Sequence, residues 1–175
     1  MNICRFMQPK AQAFFISALL ITPIVIHAEE QFPLKDLNPV IQTLLKSEKP
    51  DFSEMAYVAA RGAALYTNMA AVFEENGNHD AKDKQLAANL KSIADKYFRV
   101  MVFTATKTGK SATALQDQIT VLTKAYSTEM VKSKQLNNEY FGENIKRDRQ
   151  ALSQIESLIF EIADELARRN KPSAK

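Results

Sequence analysis

The sequence predicts an all-α protein: an up-down-up-down four-helix bundle with an additional short N-terminal helix. Three observations carry that expectation. No proline occurs between Asp51 and Lys171. Proline inside a helix costs about 3 kcal/mol, so this span is free to form long helices. Apolar residues recur through it in alternating steps of four and three, the spacing of one helix face. Gly77, Gly109 and Gly142 stand at near-equal intervals, and glycine ends helices because it takes the left-handed conformation without a steric penalty.

Residues 1–28 read as an export signal. Arg5 and Lys10 are the only charges before Glu29. Between them and Ala28 lies an apolar run, Phe14 to Ile26, interrupted by Pro23. A basic start, a short apolar core and a small residue before a polar stretch is the secretory pattern, with the cut after Ala28. The run is shorter than the roughly 20 apolar residues of a membrane span, although an uncleaved anchor is the alternative. The expectation is a periplasmic or secreted protein that meets the membrane only through this segment before cleavage. Residues 29–170 are then one helical-bundle domain, and 171–175 a flexible tail. Cys4 is the only cysteine, so the mature chain has no disulfide, no thiolate nucleophile and no cysteine-held zinc or haem.

The short helix is expected from Pro39 to Ser47. Asn38 is its N-cap, Pro39 its first helical position, and Val40, Ile41, Leu44 and Leu45 its apolar face. The second helix starts at Asp51, which forms a capping-box-like pair with Glu54, and runs to about Asn76. Two adjacent apolar rows give it a wide buried face. One row is Phe52, Ala56, Ala59, Ala63, Tyr66, Ala70 and Phe73; the other is Met55, Val58, Gly62, Leu65, Met69 and Val72. This is the expected central helix, with another helix backbone close to Gly62. The third spans Asp80 to Lys107, with a seam of Leu86, Leu90, Ile93, Tyr97 and Met101. The fourth spans Ser111 to Phe141. Its seam of Leu115, Ile119, Leu122 and Tyr126 meets Glu129 and Ser133, so its second half is less buried or faces something polar. The fifth is one helix from Glu143 to Asn170, with Ile145, Leu152, Ile155, Ile159, Ile162 and Leu166 in register. Short connections make long neighbouring helices antiparallel.

The charge pattern narrows the function classes. The chain has 175 residues, 46% hydrophobic and 25% charged, with 23 Lys+Arg against 20 Asp+Glu. Removing Arg5 and Lys10 leaves a near-neutral body, which argues against a dedicated nucleic-acid binder. Gly109-Lys110-Ser111 looks like the end of a phosphate loop, but Thr104 stands where the first glycine belongs. A helix end and a helix cap explain it better. His79 is the one histidine after the expected cut, beside Glu74, Glu75, Asp80 and Asp83. The spacing lacks the pattern of a calcium loop, and one histidine cannot supply a di-iron bundle. A solvated turn is the better account. No Gly-x-Ser-x-Gly turn is present. No catalytic residue, metal ligand or cofactor is expected.

Two clusters are candidate partner-binding residues. Glu54, Arg61, Asn68 and Glu75 recur every seven residues on the second helix, and Tyr57 lies four before Arg61. They form either the helix's solvent face or a polar stripe in a recognition groove. Tyr140 and Phe141 adjoin Lys146 and Arg147 at the last helix junction, where aromatics beside cations suit an acidic protein, a glycan or a lipid head group; a solvated junction is the plainer account. The expectation is an exported, non-enzymatic helical protein that binds another protein as adaptor, inhibitor or chaperone, or binds itself. A small-ligand or ion-binding bundle and a carboxylate-based hydrolase are the alternatives.

Overall fold

In the computed structural model, which describes residues 32–76 and 80–169, every regular element is a helix. They are α1 Asn38–Lys46, α2 Phe52–Asn76, α3 Ala81–Lys107, α4 Ala112–Asn137, α5 Glu143–Ser153 and α6 Glu156–Arg169. Among the described residues there is no strand, and no helix is long and apolar enough to cross a membrane. The expected signal segment and C-terminal tail, with Gly77 and His79, lie outside the described residues.

The helix starts follow local chemistry. Asp51 Oδ1 accepts from the backbone N–H groups of Ser53 (2.7 Å) and Glu54 (3.3 Å), satisfying donors that have no partner inside α2. Asp80 caps α3 through Lys82 N–H, and Ser111 caps α4 through Ala114 N–H. Gly109, at φ +73°, makes the left-handed turn between α3 and α4. Lys110 sits in that turn, which is the capping geometry expected in place of a phosphate loop. At α1 the expected cap shifts. Leu37 is the N-cap residue, and Asp36 Oδ1, not Asn38, supplies the side-chain acceptor, taking Asn38 N–H at 3.0 Å.

Helix α2 is the centre. It packs against α1, α3, α4 and α5, and everything from Met55 to Tyr66 except Tyr57 is buried. Its alanines let neighbours approach, while Met55, Val58, Leu65 and Met69 fill the core. Ring and charge pairs fix its direction relative to α3. Phe52 meets Phe103, Tyr66 meets Tyr97, and Glu74 meets Lys91, so the two helices run antiparallel. Gly62 does sit at a close approach, and its nearest neighbour is the Tyr97 ring of α3. A Cβ there would overlap that ring.

Two element ends depart from expectation. α4 stops at Asn137, not Phe141, because Asn138 takes the left-handed conformation (φ 57°) and returns its N–H to Lys134 O at 3.0 Å. Asparagine replaces glycine as the terminator. Gly142 instead becomes the N-cap of α5, packed on Ser133 where a Cβ would overlap the hydroxyl. The expected fifth helix is two helices. At the break, Gln154 N–H and Ile155 N–H bond three residues back, to Ala151 O and Leu152 O, both at 3.1 Å. The Leu152 carbonyl also accepts from Tyr97 Oη at 3.2 Å. The Gln154 side chain is held by α1: its Oε1 accepts from Gln42 at 2.8 Å and its Nε2 donates to Asn38 at 3.0 Å.

Candidate functional site

The strongest concentration of polar chemistry lies inside the protein, where α2, α4 and α5 meet. Arg61 is wholly buried, with 0% of its surface exposed. It lies between Val58 and Leu65 on α2, so helix geometry turns it toward the core with them. Every nitrogen of its guanidinium is engaged. Nε donates to Tyr126 Oη at 3.0 Å. Nη1 donates to Lys35 O and to Tyr57 Oη, the latter at 3.3 Å. Nη2 donates to Asp148 Oδ2, forming a buried ion pair. Tyr126 completes the circuit, its hydroxyl donating to Asp148 Oδ2 at 2.7 Å. The rings of Tyr57 and Tyr126 each lie 5.8 Å from the Arg61 guanidinium.

Electrostatics keep this cluster charged. Burial works against the Arg61 cation, but Tyr126 and Asp148 more than offset it and hold the guanidinium above its usual value. Burial also raises Tyr126 well above an ordinary phenol, although Arg61 opposes that shift. Tyr126 therefore stays protonated and donates. Arg147 approaches the other carboxylate oxygen, with Nε 3.5 Å from Asp148 Oδ1. The geometry makes no hydrogen bond, and among the described residues Arg147 Nε and Nη2 and Asp148 Oδ1 have no hydrogen-bond partner. The Phe32 ring lies across this edge, 6.0 Å from the Arg147 guanidinium and 5.8 Å from the Tyr126 ring.

The expectation of a solvent-facing polar stripe is therefore corrected. Arg61 is core, Tyr57 is half-buried against it, and Asn68 donates to Ala64 O (2.8 Å) and to Thr123 O of α4 (3.2 Å). Glu54 is half-buried at the start of α2. The second cluster is divided. Phe141 packs on Phe73 with ring centroids 5.7 Å apart, and Tyr140 lies under Lys134 Nζ at 5.0 Å. Lys146 pairs with Glu139 at 2.9 Å and Glu143 at 3.4 Å, while Arg147 turns to Asp148. Sequence reasoning missed Asp148 and Tyr126 as the partners of Arg61. A signal was present: Asp148 stands on the α5 row between Ile145 and Leu152, where a carboxylate must be paired. Among the described residues, no group of three or more His, Cys, Asp and Glu side chains is placed to hold a metal ion.

Two surface depressions flank α3. One, of about 270 Å³, has Ala63, Ala64 and Thr67 of α2 as its floor. Its walls are Lys91, Ala94, Asp95 and Phe98 of α3 and Ile119 and Thr123 of α4. The other, of about 600 Å³, lies between α3 and α6. Phe98 borders both and is 48% exposed. No family model, curated protein or solved structure matches the chain.

Proposed function

We propose that the protein is an exported, non-enzymatic helical protein of the periplasm or extracellular space that binds another protein. Its role is that of an adaptor, inhibitor or chaperone-like factor. In this reading residues 1–28 are removed on export, membrane contact ends with that cleavage, and nucleic acid is not a partner. The helices are arranged as an up-down-up-down bundle in which α5 and α6 together are the fourth member and α1 is the added short helix. The antiparallel α2–α3 pair supports that arrangement.

One observation carries the binding reading: the alanine-floored groove between α3 and α4. Ala63 and Ala64 leave room over α2, and Phe98 and Ile119 offer apolar walls on either side. This is the form in which helical proteins take a partner's amphipathic helix. The buried Arg61 cluster supports the same division of labour, since its charges are turned inward and leave recognition to the surface.

The test is capture from the native envelope with the parent protein and with Ile119→Glu, a change at a half-buried wall position. The expected result is a protein enriched by the parent and lost with Ile119→Glu, while both variants keep the same helical circular dichroism. Equal capture by both would remove the groove from the account.

A further inference from the structure

We propose that the groove between α3 and α6 is a binding site for a small amphiphilic carboxylate: an apolar body with one anionic head. The site is distinct from the α3–α4 groove that carries the partner-binding reading, although Phe98 lines both. Its apolar lining is Phe98, Val102 and Phe103 on one side and Leu166 and Ala167 on the other. Among the described residues the remaining lining is Arg99 and Arg169, and none of the lining is acidic. A volume of about 600 Å³ lies within the usual range of small-molecule sites, roughly 300–1,000 Å³.

Charge selects the head group. Arg99 uses Nε and Nη2 on one oxygen of Asp95, at 2.9 and 2.8 Å. Arg169 shares Glu165 with Arg168, at 2.8 and 2.7 Å. One carboxylate thus serves two guanidiniums, and this rim carries a surplus of positive charge. The hydrogen bond from Arg169 and the charge of Arg168 hold the Glu165 carboxyl below its usual range, so it stays ionised and does not itself become a donor. These are exposed pairs, which contribute little to stability and exchange readily for another carboxylate. Arginine suits this role because its planar fork matches a carboxylate. Lys107, 5.4 Å from the Phe103 ring, adds a further cation beside the apolar wall.

Length selects a small molecule over a helix. Phe98 and Phe103 are five residues apart on α3, which is about 7.5 Å along the axis. A partner helix that docks through positions i, i+3 or i+4 and i+7 needs about 10 Å of continuous groove. A folded or partly inserted acyl chain, or a compact aromatic acid, needs less.

The experiment is calorimetric titration of the purified protein with dodecanoate, kept below its micelle-forming concentration. Dodecyltrimethylammonium, with the same chain and a cationic head, is titrated beside it. The expected result is saturable binding of one dodecanoate per chain and affinity for the cationic analogue lower by about tenfold or more. Arg99→Glu with Arg169→Glu, both at exposed positions, should weaken dodecanoate by about tenfold while helical content is unchanged. Ile119→Glu in the other groove should leave dodecanoate binding as in the parent, which separates this site from the partner-binding reading. Equal affinity for the two head groups, absence of saturable binding, or a double variant that binds like the parent would overturn the proposal.

Discussion

Tyr66, Tyr97 and Tyr126 give the chain a pH response that belongs to single residues. Burial is the leading cause in each. Tyr66, also beside Glu156, is pushed up to about 12 from an ordinary 10, and Tyr97 and Tyr126 are raised further. The protonated phenol is the form that the fold favours. Its contribution to stability is therefore complete below about pH 10 and is lost as pH rises through 10 toward 12 and beyond, because the unfolded chain gives up these protons first. Alkaline titration followed by phenolate absorbance and circular dichroism checks this. These three tyrosines should ionise only together with loss of helix. Reversible ionisation of all the tyrosines near pH 10 with the helical signal intact would contradict it. Arg61 marks how far single residues were legible. Its interval with Glu54 and Asn68 suggested a polar stripe, yet its three- and four-residue spacing to Val58 and Leu65 placed it equally on an apolar row. The choice between the two depended on Asp148, 87 residues away, and no local pattern contains that partner.

At the scale of elements, starts were more legible than ends and breaks. Asp51, Asp80 and Ser111 act through bonds two or three residues away, so the sequence carries them in full. The α5–α6 break has no proline or glycine to announce it. It rests on contacts from distant helices: Tyr97 on the Leu152 carbonyl, and Gln42 and Asn38 on Gln154. The polar second half of α4 was readable as an anomaly, and its partners are Asn144, which donates to Glu129 at 2.7 Å, and Gly142 against Ser133. Gly62 gives the element-scale prediction. Alanine has the better helix propensity by up to about 1 kcal/mol. Its Cβ would nevertheless overlap the Tyr97 ring, which is held by the Leu152 carbonyl and by the Tyr66 ring 5.6 Å away. Gly62→Ala should therefore lose about 1–3 kcal/mol in urea denaturation. A gain in stability would mean that the ring moves aside freely.

For the whole molecule, one buried charge centre joins segments far apart in sequence. Arg61 of α2 reaches Lys35 before α1, Tyr126 of α4 and Asp148 of α5. The central claim is that this centre holds the fold. A buried pair need not stabilise more than an apolar substitute, but removal of one partner strands the other charge. The most direct test is urea denaturation of Arg61→Met, Asp148→Asn and the two combined. Each single variant should lose about 3–5 kcal/mol. The double variant should stay helical and lose much less than the sum, because neither charge is then left unpaired. Losses that simply add, or single variants as stable as the parent, would contradict the claim that the Arg61–Asp148 pair holds these helices together.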